Sequence, residues 1–264
     1  MLFLKTFFIA MLITTLGFFK FIYFISLSYG FSVSAIGAFF LIKYNVNLTL
    51  VQLILCILYI VYGLRLALFL AIREWKNKSY NEKIGKELIK KDIKIIFKLL
   101  IWISCALLYA CQTSPLTFRL INNINNKNDN LVYIGIIIAL FGLILEIKAD
   151  KEKDAAKKIN PSRFVDTGLY KFARCPNYLG EILFWTGNFI GGLKIYEGGF
   201  QWFICILGYL LIVYIMFSGA RRIEMRQNKS YGKDPEYQKY IKNTPIMIPF
   251  IPLYSVEKYT WLKG

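Results

Sequence analysis

Two stretches of this 264-residue chain gather side chains that can bind and react. One runs from Glu146 to Glu181 and reads EIKADKEKDAAKKINPSRFVDTGLYKFARCPNYLGE; the other runs from Gly219 to Pro252 and reads GARRIEMRQNKSYGKDPEYQKYIKNTPIMIPFIP. In the first, Glu146 and Asp150 are four apart and share a helix face, as do Asn177 and Glu181. Asp166-Thr167-Gly168 makes a turn that seats Leu169 and Tyr170 in a short following helix, and Pro176 falls near the first turn of the next one. A helix N-terminus facing a basic loop is a seat for a phosphate or pyrophosphate. The same acids and amide can equally well cap helices and pair with nearby lysines. In the second stretch, Arg221 and Arg222 lead into a basic segment punctuated by Tyr231, Tyr237 and Tyr240, which Thr244-Pro245, Pro249 and Pro252 bring to a stop. An interfacial helix with aromatic anchors explains that segment as readily as a site does.

Other chemistries are excluded by what the chain lacks. It has no histidine, so no mechanism that needs an imidazole base applies. Its five cysteines, Cys56, Cys105, Cys111, Cys175 and Cys205, are odd in number and form no C-x-x-C pair. A disulfide framework and a zinc site both lose their usual ligands, and the thiols read as small buried hydrophobes. No metal is expected.

The elements that must position these residues are membrane helices. The chain is 56% hydrophobic and 19% charged, too apolar and too poor in charge for a soluble domain. Its formal charge of +17 would suit a nucleic-acid binder, but the basic residues are separated by apolar runs of membrane-spanning length, so no nucleic-acid partner is expected. Seven spans are predicted: Met1 to Phe18, Phe21 to Ile42, Leu50 to Ile72, Ile95 to Leu116, Leu131 to Ile147, Tyr178 to Leu193 and Phe200 to Ser218. The first resembles a signal peptide but lacks an A-x-A-like cleavage site and is followed at once by a second apolar run, so it reads as an uncleaved helix. With seven spans, the lysine-rich loops after spans three and five and the basic tail all fall on one side. That predicts an outside N-terminus and a cytosolic C-terminus. The basic excess also fits attraction to anionic membrane lipid. The Asn-rich stretch from Asn122 to Asn130 reads as a polar linker. The expected fold is a single all-α integral-membrane domain over residues 1–264, a polytopic transmembrane bundle of about seven spans. It belongs in the endoplasmic reticulum of a eukaryote or the plasma membrane of a bacterium.

The run G-L-Y-K-F-A-R-C-P-N-Y-L-G-E, Gly168 to Glu181, resembles the signature of the steroid 5α-reductase C-terminal domain family, G-L-W-x-x-S-R-H-P-N-Y-x-G-E. Glu224, Tyr237, Tyr240, Thr244, Ile248 and Pro249 follow in the order of that family's tail, and Gly63 to Leu66 resembles its G-L-R-L stretch. The resemblance covers roughly residues 60–252. It implies a membrane reductase with NADPH in a cytosol-facing cavity, held by Glu146, Asp150, Arg163, Arg174, Asn177, Tyr178 and Glu181, with Arg222, Tyr231 and Tyr240 closing it from the tail. Arginines suit phosphates, and an amide and carboxylates suit ribose and carboxamide groups. It further implies that Tyr62 polarises the carbonyl of a lipophilic, enone-like substrate while Glu181 serves at the catalytic end of the cofactor site. The sequence departs from the family in two places: no acid precedes Glu74, so the early spans supply no helper carboxylate, and Cys175 stands where the family has histidine.

The nearest alternative is an S-adenosylmethionine-dependent membrane methyltransferase of the isoprenylcysteine or phospholipid type, which shares an R-H-P-x-Y-x-G motif. N-Y-L-G-E, with its amide and carboxylate, favours the reductase, and Glu224 between Ile223 and Met225 lacks the paired glutamates of the methyltransferase tail. A transporter would place ionisable groups near the midplane of broken helices, whereas here only Arg65 lies deep in a predicted span.

Overall fold

The computed structural model describes residues 1–76, 94–122 and 129–263. Lys78, Lys83, Lys86, Lys90 and Lys91 of the lysine-rich loop and residues 123–128 of the Asn-rich stretch lie outside the described residues. Among the described residues the structure is helical throughout: α1 (Leu2–Thr14), α2 (Leu16–Phe19), a 3-10 turn (Phe21–Phe24), α3 (Leu27–Tyr44), α4 (Leu50–Lys76), α5 (Ile95–Gln112), α6 (Ser114–Asn122), α7 (Asn130–Ile159), a second 3-10 turn (Gly168–Lys171), α8 (Pro176–Gly192), α9 (Gly198–Tyr231) and α10 (Pro235–Asn243). Six segments are long and apolar enough to cross a bilayer: Leu2–Phe19, Phe21–Tyr44, Leu50–Trp75, Ile95–Gln112, Asn130–Ile159 and Gly198–Tyr231. The expected sixth span corresponds to α8, whose 17 residues sit at the lower limit for crossing a bilayer. The chain is an integral membrane protein.

Several boundaries differ from expectation for local reasons. The first apolar run breaks at Thr15, where the hydroxyls of Thr14 and Thr15 donate to the carbonyls of Ala10 (2.7 Å) and Leu12 (2.6 Å) and satisfy groups a continuing helix would have used. The fourth breaks at Thr113, because Pro115 cannot donate into the preceding turn and the Ser114 hydroxyl takes the Cys111 carbonyl instead, at 2.6 Å. The fifth and seventh run past the apolar stretch. ADKEKDAAKK is rich in strong helix formers and carries α7 out to Ile159, where Asn160-Pro161 stops it. Likewise α9 continues to Tyr231 and ends at Gly232.

The chain divides into two compact units, Met1–Val132 with Gly192–Gly208, and Tyr133–Gly191 with Tyr209–Gly264. In the first, α3 and α4 approach at glycines, so that a side chain on Gly30 would meet the Gly63 carbonyl and one on Gly37 the Cys56 carbonyl. Small residues at such crossings let membrane helices gain dispersion contact, since lipid supplies no hydrophobic drive between them. Trp102 on α5 donates to the Met11 carbonyl of α1 at 2.9 Å, and Tyr109 to the Phe24 carbonyl at 2.6 Å. Arg119 and Asp129 form a buried ion pair at 2.8 Å. Lys20 and Tyr23 both reach Glu74, at the end of α4.

In the second unit, α7 and α8 pack through two glycine contacts. A side chain on Gly135 would strike the backbone of Gly187 and Gly191, and one on Gly142 the backbone of Gly180 and Phe184. On its other side α8 meets α9: Tyr178 lies across Gly219, and the Phe189 ring stacks on Tyr209 with centroids 5.0 Å apart.

Candidate functional site

The glycine contacts between α7 and α8 decide where the acids go. Gly180 lies on the backbone and Cβ of Glu146, which sets Glu146 against the residue next to Glu181, with Asp150 one turn further along α7. Glu146, Asp150 and Glu181 are buried, at 3%, 7% and 6% exposure. Asn177, half-buried one turn before Glu181, and Tyr178 continue the same end of α8. The short helix expected after Asp166-Thr167-Gly168 is the 3-10 turn Gly168–Lys171. Gly168 adopts φ +59°, in the region that favours glycine, and any side chain there would run into the Glu152 carboxylate, which accepts from the Leu169 amide at 2.7 Å.

The motif loop and the tail are tied together from both backbone and side chains. The amides of Arg174 and Cys175 donate to the carbonyls of Pro245 and Ile246, both at 2.9 Å. The Arg174 guanidinium is buried and donates to Glu224 on α9 at 2.7 Å and to the Tyr254 carbonyl. The second carboxylate oxygen of Glu224 accepts from the Val256 amide at 2.9 Å. Tyr240 donates to the Tyr170 carbonyl at 2.7 Å. Asp234 caps α10 by accepting from the Glu236 and Tyr237 amides, which aims Tyr237 and Tyr240 back at the loop. Phe164 sits among the tail tyrosines, stacked on Tyr240 (5.4 Å), edge-on to Tyr237 (5.2 Å) and tilted to Tyr231 (5.9 Å).

The structure thus gathers Glu146, Asp150, Arg174, Asn177, Tyr178, Glu181, Tyr231 and Tyr240 in one unit, but it gives the arginines different settings. Arg174 is committed to a buried carboxylate and a carbonyl. Arg163 is exposed and pairs with Asp166 at 3.0 Å and Glu236 at 2.5 Å. Arg222 is exposed on α9. Lys157, which was not singled out in the sequence, reaches the Tyr231 hydroxyl at 3.2 Å and the Arg163 carbonyl. Phe164 and Glu152 were likewise not singled out, and Tyr170 was read only as part of the short helix; their partners lie up to 76 residues away in the chain and leave no local pattern. Tyr62 belongs to the first unit, where it is fully buried and its hydroxyl stands 3.0 Å from that of Tyr29. Tyr29 thus places a second hydroxyl beside that of Tyr62.

Burial raises the pKa of several groups here and so disfavours their ionised forms. It pushes the Tyr170 hydroxyl well up, with the nearby Asp150 charge adding to the effect, and pushes the Tyr237 hydroxyl up to about 12. Burial also drives the Cys175 thiol up to about 11, against the pull of Lys153 and Arg174. A thiol that is 2% exposed and neutral at pH 7 is a poor nucleophile. N-ethylmaleimide at pH 7.5 is expected to leave Cys175 unlabelled in the folded protein and to label it after denaturation; fast native labelling at this position contradicts the placement. The unfolded thiol ionises near its ordinary 9.0 and the folded one near 11, so its contribution to stability is complete below pH 9 and fades as pH rises towards 11.

Helices of membrane-spanning length, a glycine-packed helix pair and a tail latched onto the loop before α8 define an all-helical integral membrane protein with one polar cluster built across α7, α8, α9 and α10. The chain belongs to a family of proteins of unknown function, DUF1295, whose sequence profile matches residues 13–244. No curated protein and no solved structure matches it.

Proposed function

We propose that the protein is a membrane-embedded, NADPH-dependent reductase of a carbon–carbon double bond in a lipophilic, enone-like substrate. The observation that carries this reading is the joining of the R-C-P-N-Y-L-G-E loop to the C-terminal arm around the buried Arg174–Glu224 pair, in the unit that also buries Glu146, Asp150 and Glu181. The residues fit a dinucleotide. The Arg174 Nε and the Tyr170 hydroxyl are buried donors with no hydrogen-bond partner among the described residues. The Phe164–Tyr240 stack offers a face for a planar ring, and the carboxylates offer acceptors for ribose hydroxyls and a carboxamide. Arg222 stands exposed on α9 for a phosphate, and Arg163 and Lys157 stand in the same unit, where a phosphate would displace Asp166 and Glu236 from Arg163.

Bound NADPH would supply a hydride to the β-carbon of the conjugated carbonyl. For its part the chain offers the Tyr62 hydroxyl, which would donate a hydrogen bond to the carbonyl oxygen as negative charge builds there, with Tyr29 orienting it. In this reading the cluster faces the cytosol, as the positive-inside expectation from the sequence suggests, and the substrate enters from the bilayer.

A second reading has its own observation. Two of the predicted phosphate-binding arginines are already paired with carboxylates, while the same unit buries three acids, Glu146, Asp150 and Glu181, and buried negative charge suits the positive sulfonium of S-adenosylmethionine. Thermal unfolding of the detergent-purified protein with each ligand separates the two, since a ligand stabilises the state it binds. NADPH is expected to give the larger upward shift, and a larger shift with the methyl donor overturns the reductase. Glu181→Gln keeps the shape of the side chain but removes its charge. Its affinity for NADPH is expected to fall about tenfold, the loss of one charge-assisted hydrogen bond. Unchanged affinity removes Glu181 from the site.

A further inference from the structure

The unit comprising Met1–Val132 carries polar side chains deep among apolar ones, on three neighbouring helices. Gly30 lies on Gly63 and Ala67, and Gly37 on Cys56 and Tyr59, so α3 and α4 run antiparallel and Ser32 comes level with Tyr62 and Gly63. The direction of α5 follows from two contacts. Its Tyr109 ring stacks on Tyr29 with centroids 5.2 Å apart, and Tyr29 in turn meets Tyr62; beyond the end of α5, the backbone at Leu116 comes up to the Tyr59 hydroxyl. Gln112 lies between Tyr109 and Leu116 and so runs beside the turn of α4 between Tyr62 and Tyr59.

Gln112 is 2% exposed and Ser32 fully buried. Among the described residues, neither the Oε1 and Nε2 of Gln112 nor the Oγ of Ser32 has a hydrogen-bond partner. A primary amide left unsatisfied at membrane depth is costly, because no bulk water reaches it, so its presence calls for an occupant. The two groups are uncharged and offer both donors and acceptors, next to the rings of Tyr29, Tyr62 and Tyr109. Such a setting selects a neutral oxygen on an apolar body.

We propose that Gln112 and Ser32 form a niche for the oxygen-bearing end, a carbonyl or hydroxyl, of an uncharged lipid-soluble molecule. Because the niche is level with Tyr62, it deepens the reductase reading by adding residues that hold the substrate's oxygen; it rests on that reading only in taking a conjugated ketone as the ligand. The test uses the full chain in detergent, with and without NADPH, and compares thermal stabilisation by 4-decylcyclohex-2-en-1-one with that by decylcyclohexane, which has no oxygen. The enone is expected to stabilise the native chain more than the hydrocarbon does. Gln112→Met, close in size and without polar atoms, is expected to weaken enone binding about tenfold, the loss of one to two hydrogen bonds, while unfolding no lower than the native chain when ligand-free. Ser32→Ala is expected to weaken it in the same direction and carries the comparison if the methionine variant does not fold. Equal effects of enone and hydrocarbon under both conditions overturn the niche, as does an undiminished enone advantage in the variants. If the enone advantage behaves as expected while NADPH stabilises nothing, the niche stands and the reductase reading falls.

Discussion

Arg174→Met is expected to destabilise the unit formed by Tyr133–Gly191 and Tyr209–Gly264 more than any other single substitution of a polar residue there. Both partners of the Arg174–Glu224 pair are almost fully buried, with side-chain exposures of 1% and 2%. Removing one leaves an uncompensated buried charge, which costs roughly 3–5 kcal/mol. The loss has a structural consequence beyond the pair. Arg174 also holds the Tyr254 carbonyl and Glu224 holds the Val256 amide, so the pair fastens the last part of the chain to the loop before α8. Without it the tail should detach, and with it the face that Tyr237 and Tyr240 present to Phe164. The double variant Arg174→Met/Glu224→Met removes both charges and is expected to recover part of the stability. It should not recover all of it, because the Tyr254 carbonyl and Val256 amide each lose a partner at a cost of about 1–3 kcal/mol. Thermal unfolding of the two single variants and the double reads this directly. A single variant that unfolds within a degree of the native chain would contradict a structural pair.

Gly142→Ala is expected to have the second large effect, and it links packing to the site. The added Cβ would stand 2.5 Å from both the Gly180 carbonyl and the Phe184 amide nitrogen. Both are backbone atoms of a helix, so no side chain can turn aside and α7 must move away from α8. Overpacking of this kind costs roughly 1–3 kcal/mol, sometimes more. The same displacement pulls Glu146 off Gly180, the residue next to Glu181. Ligand affinity should therefore fall along with the unfolding temperature, although residue 142 itself carries no polar side chain. Gly199→Ala is the control. Nothing lies within 4 Å of a Cβ there, and alanine favours the first turn of α9, so stability should hold or rise slightly. Equal behaviour of the two variants would mean that the close approach of α7 and α8 does not exist.

The membrane character and the helical class were legible in the sequence because they depend on local apolar length, which needs no partner. Turn chemistry was legible for the same reason: Asp166-Thr167-Gly168 and the prolines of the tail act on their own backbone. Helix ends were read less well. The sequence placed the ends of spans at the edge of the apolar runs, yet α7 and α9 run on through charged segments, because helix propensity does not stop where hydrophobicity does. The breaks at Thr15 and Thr113 turn on hydroxyls that claim carbonyls, a contest that composition alone does not resolve.

For the site, the residue types were visible but their states were not. Spacing by four put Glu146 with Asp150 and Asn177 with Glu181; the contact of Gly142 with Gly180 brought the two helices that carry them together. Arg174 reads in sequence as a free cation suited to phosphate, and in the fold it is a buried tie to Glu224, 50 residues on. Sequence by itself determined what each segment prefers, since solvation and backbone propensity act residue by residue. The tertiary structure decided which charges meet and which polar groups are left facing one another, because that depends on how closely two helices approach, and a glycine's permission to approach takes effect only when the partner glycine arrives opposite it.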